Sequence, residues 1–95
     1  MSSQTIERPR ISGPGNAFGE QWRVIVLNDN HNTFDGVAVV LARYIPGVDV
    51  ARGLQFADEI HRRGQATVWS GHQERAELYW EQLRDAGLTM APLER

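Results

Sequence analysis

The alternation of apolar and polar residues predicts that the folded part of the chain begins with a strand and a helix. Residues 22–27 are mostly β-branched or aromatic and place apolar side chains on both faces, which is typical of a strand with little solvent on either side. Residues 34–45 repeat apolar side chains at helical spacing. Thr33 is the expected N-cap of this helix, and Pro46-Gly47 is its expected end.

The remaining pattern predicts two more helices and two more strands. A second helix is expected from its cap at Asp49 to about residue 63, a short strand over residues 65–69, and a third helix from about residue 73 until Gly87 stops it. Residues 88–91 alternate weakly and predict a last strand, which Pro92 must end or interrupt because proline has no N–H to donate. We therefore expect an α+β fold of two layers in the order β-α-α-β-α-β, with a small three-stranded sheet covered by helices.

Residues 1–21 differ from the rest of the chain. They mix Ser, Gln, Arg, Pro and Gly with a few isolated apolar side chains. Such a composition does not bury enough apolar surface to offset the entropy of ordering. We expect a flexible N-terminal arm over residues 1–21 and one folded domain over residues 22–95.

Composition narrows the possible classes of function. A formal net charge of −2 and a pI near 5.9 provide no basic field for a nucleic-acid backbone. The chain has no cysteine, which excludes disulfides and thiolate metal sites. No stretch approaches the roughly 20 apolar residues of a membrane span. We expect a soluble intracellular protein that binds neither nucleic acid nor membranes.

A polar cluster lies between the first strand and the first helix. Apart from His31, every residue from position 28 to position 32 is Asn or Asp, whereas a turn needs only one or two such side chains to satisfy its own backbone. Two interpretations are open at this point. The cluster is either a turn that ends in a helix cap, or a set of surplus acceptors that binds a small polar group.

Residues farther along the chain favour the second interpretation. An α-ammonium group has three N–H donors and no acceptor, so a site for it needs about three acceptors, preferably with one carboxylate. Asn28, Asp29 and an unprotonated ring nitrogen of His61 would supply them, although His61 alone also fits an exposed residue near a helix C-terminus. An adjacent apolar wall would come from four residues that singly fit an ordinary core: Phe34, Val37, Ala57 and Ile60.

Signatures of catalysis and of metal binding are missing from the sequence. Ser70 lacks the Gly-x-Ser-x-Gly environment of a hydrolase nucleophile, and no Gly-rich phosphate loop follows a strand. The histidines have neither the i, i+4 spacing on one helix nor a recognised metal motif. We expect no enzymatic activity, no metal and no cofactor.

Four motifs of the sequence together resemble those of a known family: Leu27-Asn28-Asp29, Thr33-Phe34, Ile60-His61 with Gly64 three positions on, and Glu74-Arg75-Ala76-Glu77. By these motifs the chain resembles the ClpS adaptors of bacterial and plastid Clp proteases over about residues 22–95. The resemblance implies a fold shared with the C-terminal domain of the ribosomal stalk protein and a non-catalytic role. ClpS-like proteins bind substrates by a bulky N-terminal residue, typically Leu, Phe, Tyr or Trp, and deliver them to an AAA+ unfoldase such as ClpA or ClpC.

The resemblance implies roles for individual residues. Asn28, Asp29 and His61 match the family's α-amino ligands. Asn30 and Asn32 match positions near the substrate backbone. The remaining matches are one unfoldase contact, Glu74, and a pocket wall of Phe34, Val37, Ala57, Ile60 and Thr89. The expected partners are proteins that expose such an N-terminal residue (N-degron substrates) and a Clp unfoldase, for a monomer in the cytoplasm or the plastid stroma.

Three departures from the family pattern affect these expectations. Asn30 stands where the family usually has an acidic residue, which removes one negative charge. Ala57 and Phe34 stand where Met is common in the family. Ala57 enlarges the pocket and Phe34 fills it, so the preference between Leu and an aromatic N-terminal residue is not determined. Tyr79 stands at a position, one helical turn after Glu74, where the family often has a basic residue. The main alternative is a stalk-type interaction domain that docks through helix faces and has no amine pocket.

Overall fold

The structure is a computed structural model that describes residues 21–95. The arm expected over residues 1–21 therefore lies, except for its last residue, outside the described part of the chain. The helices and strands follow the predicted order up to the third helix: β1 (Trp22–Leu27), α1 (Phe34–Tyr44), α2 (Val50–Arg63), β2 (Gln65–Gly71) and α3 (Gln73–Asp85).

The two strands form an antiparallel pair. Trp22 lies opposite Gly71 and Leu27 lies opposite Gln65, with one irregularity in the register after Val24. The chain can enter β2 directly from α2 because Gly64 adopts a left-handed conformation, with a φ of 88°. This turn places the end of α2 beside the end of β1.

The prediction of a three-stranded sheet is not confirmed. Residues 88–94 run along the other edge of β1, but they form only two isolated bridges, Val26 with Met90 and Arg23 with Glu94. Pro92 lies between these bridges and has no N–H to donate. It therefore interrupts a continuous ladder of hydrogen bonds, as its position in the sequence predicts. The sheet itself has two strands, and the C-terminal segment protects the free edge of β1.

Both caps expected for the first two helices are present. The Thr33 hydroxyl accepts a hydrogen bond from the Gly36 backbone N–H at 2.9 Å, and the Asp49 carboxylate accepts one from the Arg52 N–H at 2.8 Å. Each cap satisfies a backbone donor that the first turn of a helix leaves unpaired. These local signals fix where α1 and α2 begin.

A single core joins both strands and all three helices. Its largest fully buried side chains are Val24, Val26, Leu41 and Leu83. Because β1 runs through this core, its C-terminal end brings the polar residues after Leu27 to the start of α1 and the end of α2. No helix within residues 21–95 combines the length and the apolar character that a bilayer crossing requires.

Candidate functional site

An open cavity lies where β1 ends, α1 begins and α2 ends. Its volume is about 420 Å³ when the open space at its mouth is included. Its apolar lining consists of Val26, Leu27, Phe34, Val37, Ala57, Ile60 and Leu88. Its polar lining consists of Asn28, Asp29, Asn32, Thr33 and His61.

The wall of the cavity is built from core residues. Val37, Ala57 and Ile60 are almost fully buried, yet each also borders the cavity. The same side chains therefore pack in the core and form the wall of the cavity. Ala57 contributes a small side chain at one turn from His61, and this leaves space between the two helices.

Phe34 and His61 meet at the cavity. Their rings lie edge to face, with centroids 5.4 Å apart and an interplanar angle of 63°, a geometry that aromatic rings favour. Phe34 begins α1 and His61 lies in the last turn of α2, so the contact ties the two helix ends together. Phe34 remains 43% exposed and is therefore available to a ligand at the mouth.

Asp29 is held by the chain itself. Its Oδ1 accepts hydrogen bonds from the backbone N–H groups of His31 (3.0 Å) and Asn32 (2.8 Å). Its Oδ2 accepts from the side-chain amide of Asn32 (2.7 Å) and the hydroxyl of Thr89 (2.8 Å). A carboxylate offers about four lone-pair positions. The structure thus leaves Asp29 no free acceptor for a direct bond to an amine.

The environment of Asp29 keeps its carboxyl ionised. Burial raises the pKa of this carboxyl, but the hydrogen bonds from Asn32, Thr89 and His31 together lower it by more, so the pKa lies well below its usual range. The negative charge is therefore present at neutral pH beside the polar end of the cavity. Asp29 can attract a cation electrostatically even though its lone pairs are occupied.

Asn32 lines the cavity, and both N–H groups of its side-chain amide are engaged within the chain. One amide N–H donates to Asp29, and the other donates to the backbone carbonyl of Gly87 at 2.9 Å. Both acceptors require N–H donors, so the orientation of the amide is fixed and only its Oδ1 is left for a ligand. Asn28 also lines the cavity, and its backbone N–H donates to the Gly64 carbonyl at 2.9 Å.

Three of the predicted site residues lie elsewhere. Asn30 is exposed and does not line the cavity. Thr89 also does not line it, because its hydroxyl turns to Asp29, and the neighbouring Leu88 borders the cavity instead. Glu74 is exposed in the first turn of α3, a helix that contributes no residue to the cavity.

Sequence reasoning missed four lining residues, namely Val26, Leu27, Thr33 and Leu88. Val26 could have been found from the alternation of β1, since it shares a face with Val24. Leu88 had no local signal, because its place depends on how the segment after α3 returns to β1. Among the described residues, no group of three or more His, Asp or Glu side chains could hold a metal ion.

Tyr79 has a different position from the one expected. It is 5% exposed, and its ring packs edge to face on Trp69 with centroids 5.0 Å apart. The exposed residue one helical turn after Glu74 is Leu78, which is 46% exposed. The departure at Tyr79 therefore belongs to the core, and Leu78 is the neighbour of Glu74 on the surface of α3.

The chain is similar to proteins of one family. Residues 19–94 match the family model described as "ATP-dependent Clp protease adaptor protein ClpS". A ClpS adapter of Thermosynechococcus vestitus is 56% identical over 73 residues, which are 77% of this chain and 78% of that protein. A chloroplastic ClpS adapter of Arabidopsis thaliana is 40% identical over 67 residues, which are 70% of this chain and 42% of that protein.

A solved structure has the same fold. The structure of Agrobacterium tumefaciens ClpS2 bound to L-phenylalaninamide superposes with a TM-score of 0.69 at 26% identity, over 79% of this chain and 95% of that one. The match of the family model covers nearly the whole described region, and the cyanobacterial relative shares more than half of the aligned residues. The chain belongs to the ClpS family of adaptor proteins for the ATP-dependent Clp protease.

Proposed function

We propose that this adaptor binds substrate proteins by their free N-terminal residue and delivers them to a Clp AAA+ unfoldase for degradation. The observation that carries the proposal is a set of polar acceptors at one end of an apolar cavity. This combination suits a ligand with a charged amine and a bulky apolar side chain on the same carbon atom. An adaptor of this kind catalyses no reaction, because the unfoldase and the protease carry out the chemistry.

The polar groups can satisfy all donors of an ammonium ion. Asn28 Oδ1, Asn32 Oδ1 and an unprotonated ring nitrogen of His61 supply three acceptors for its three N–H groups. Asp29, which the sequence had suggested as a direct ligand, also borders the cavity and contributes its negative charge there while its oxygens accept four hydrogen bonds from the chain. Asn30 is left as a contact for the substrate backbone outside the cavity.

The apolar lining defines the class of side chain. The apolar residues that line the cavity suit a bulky apolar side chain of the Leu, Phe, Tyr or Trp type. The related ClpS2 structure was determined with L-phenylalaninamide, a ligand that has a free amine and an aromatic side chain. That ligand supports the same arrangement here, with the side chain between Val37 and Ala57 and the amine near Asn28.

Delivery requires a second surface. We assign it to the exposed side of α3 around Glu74, where an unfoldase of the ClpC or ClpA type would dock. The arm over residues 1–21 would be the segment that the unfoldase engages during transfer. We expect a monomer located in the cytoplasm or the plastid stroma, in keeping with cyanobacterial and chloroplastic relatives.

The test of this function is a binding measurement with three peptides of otherwise identical sequence. By isothermal calorimetry, a peptide that begins with Phe should bind, and the same peptide with an acetylated α-amine should not, because acetylation removes the charge and most of the donors. A peptide that begins with Gly controls for contacts made by the rest of the peptide, and it should not bind. Equal affinity for the free and the acetylated peptide would favour the alternative, an interaction domain without an amine site.

A further inference from the structure

The segment that follows α3 is tied to the end of β1 and to the polar turn (residues 28–32) by three hydrogen bonds. The Leu27 backbone N–H donates to the Thr89 carbonyl at 2.8 Å, and the Asn32 side chain donates to the Gly87 carbonyl at 2.9 Å. The third bond runs from the Thr89 hydroxyl to Asp29 Oδ2 at 2.8 Å. A segment remote in sequence therefore holds both the last backbone N–H of β1 and two side chains of the turn.

Thr89 is connected to the cavity only through other residues. It does not line the cavity, and its hydroxyl points to Asp29. Asp29 Oδ2 accepts at the same time from the Asn32 amide, and Asn32 borders the cavity. The path from Thr89 to a bound ligand thus passes through one carboxylate oxygen and one amide group.

We propose that Thr89 is a positioning residue for the amine site and acts through Asp29 and Asn32. Its hydroxyl fixes Asp29 Oδ2 at the point where the Asn32 amide must donate, and the Gly87 carbonyl fixes the second N–H of that amide. Asn32 then offers only Oδ1 to the ligand. This inference rests on the proposed function, since it assumes that an amine binds there.

Loss of the Thr89 hydroxyl has a defined consequence. Asp29 Oδ2 would lose one of its two donors and would be held less firmly, although Oδ1 keeps its two backbone donors. The Asn32 amide would then be fixed firmly only by the Gly87 carbonyl, so its Oδ1 would be placed less precisely for an ammonium ion. The apolar wall would be unchanged because Thr89 is not part of it. The expected damage is therefore restricted to recognition of the amine.

The experiment compares Thr89→Val, which keeps the shape and removes the hydroxyl, with Thr89→Ser, which keeps the hydroxyl. The control is Thr67→Val, the same change at an exposed position of β2. Two ligands are titrated against each full-length variant: a peptide that begins with Phe, and its analogue in which a hydroxyl group replaces the α-amine. Thermal melting confirms that each variant is folded, and Thr89→Ala replaces Thr89→Val if valine does not fit.

The expected result is selective. Thr89→Val should weaken the amine peptide roughly tenfold and change the hydroxyl analogue by less than about twofold, whereas Thr89→Ser and Thr67→Val should behave like the wild type. Equal losses for both ligands, unchanged binding by Thr89→Val, or a Thr89→Ser variant as weak as Thr89→Val would each overturn the positioning role. If the wild type itself does not prefer the amine, the proposed function fails first, which separates the two failures.

Discussion

At the scale of single residues, Asp29 shows how one set of hydrogen bonds can hold a turn and a charge together. Its side chain is 12% exposed, and four donors from the chain surround its oxygens. The same hydrogen bonds stabilise the turn and keep the charge in place at the border of the cavity. In the proposed function, this one arrangement serves both folding and recognition of the amine.

Replacing Asp29 by Asn should destabilise the fold. The amide keeps one acceptor oxygen but places an NH₂ group against donors from Asn32 and Thr89, so hydrogen bonds to a charged group are lost. We expect the free energy of unfolding at pH 7 to fall by about 2 to 3 kcal/mol in urea titrations. Asp58→Asn is the matched control, because Asp58 only pairs with Arg62 at the surface and should cost less than about 0.5 kcal/mol.

The effect of Asp29 should depend on pH with a definite sign. The folded-state pKa lies below the ordinary value of 3.8, so the unfolded chain binds the proton more readily. The stabilisation is fully present above about pH 5 and is lost as the pH falls through the unfolded value towards the folded one. The stability difference between the wild type and Asp29→Asn should therefore shrink between pH 6 and pH 3. A difference that stays constant over this interval would contradict the lowered pKa.

At the scale of elements, the cavity depends on how closely α1 and α2 approach each other. Gly53 of α2 faces Ala38 of α1, and a Cβ atom at position 53 would lie 2.6 Å from the Ala38 carbonyl oxygen. Only glycine allows this distance, because the obstructing atom belongs to the backbone and cannot rotate away. Val37 and Ala57, which line the cavity, are close to this contact along the chain, next to Ala38 and one turn after Gly53.

Gly53→Ala tests the contact between the helices. Alanine has the higher helix propensity by about 1 kcal/mol, but the overlap with the Ala38 backbone must separate the helices. We expect a net loss of about 1 to 3 kcal/mol in the free energy of unfolding and weaker binding of the Phe-initiated peptide. Gln55→Ala, at an exposed position of α2, should stay within about 0.5 kcal/mol. A Gly53→Ala variant that is more stable than the wild type would show that the helices can separate at no cost.

The elements that the sequence predicts well are those with local signals. The caps at Thr33 and Asp49 and the left-handed Gly64 each act within a few residues, and the boundaries of α1 and α2 follow the prediction closely. The third strand was not predictable in the same way. Whether residues 88–94 form a continuous strand depends on their fit to β1, more than 60 positions away, and on the missing N–H of Pro92.

The residues of the candidate site also differ in how far local sequence signals predict their positions. Asn28, Phe34 and His61 gather at the cavity as expected, because two helix termini and one strand end fix their places. The roles of Asp29 and Thr89 could not be read from the sequence, since each depends on a hydrogen bond between residues 60 positions apart.

At the scale of the whole molecule, the two surfaces that an adaptor needs are carried by different elements. The cavity is lined by β1, the polar turn, α1, α2 and Leu88. The surface assigned to the unfoldase lies on α3, with Glu74 and Leu78 exposed one turn apart. Because α3 contributes nothing to the cavity, we expect that cargo and unfoldase bind at the same time.

This separation predicts that the two binding activities can be removed independently. His61→Ala removes an acceptor and the ring that contacts Phe34, and should weaken the Phe-initiated peptide tenfold or more while leaving affinity for the unfoldase unchanged. Glu74→Arg should weaken binding to the N-terminal domain of a ClpC-type or ClpA-type unfoldase roughly tenfold at low salt and leave peptide affinity unchanged. Asp58→Arg carries the same change in net charge at another surface and should affect neither activity.

Both affinities can be measured by calorimetry on the same four proteins, and the delivery step by degradation of a Phe-initiated fluorescent substrate. His61→Ala should block degradation because cargo no longer binds, and Glu74→Arg should block it because the unfoldase no longer binds. Delivery needs cargo and unfoldase on one adaptor molecule. A mixture of His61→Ala and Glu74→Arg should therefore fail to restore degradation, whereas added wild type should restore it. Recovery of degradation in the mixture would mean that one adaptor molecule can bind the cargo while another binds the unfoldase. Delivery would then not require both surfaces on a single chain.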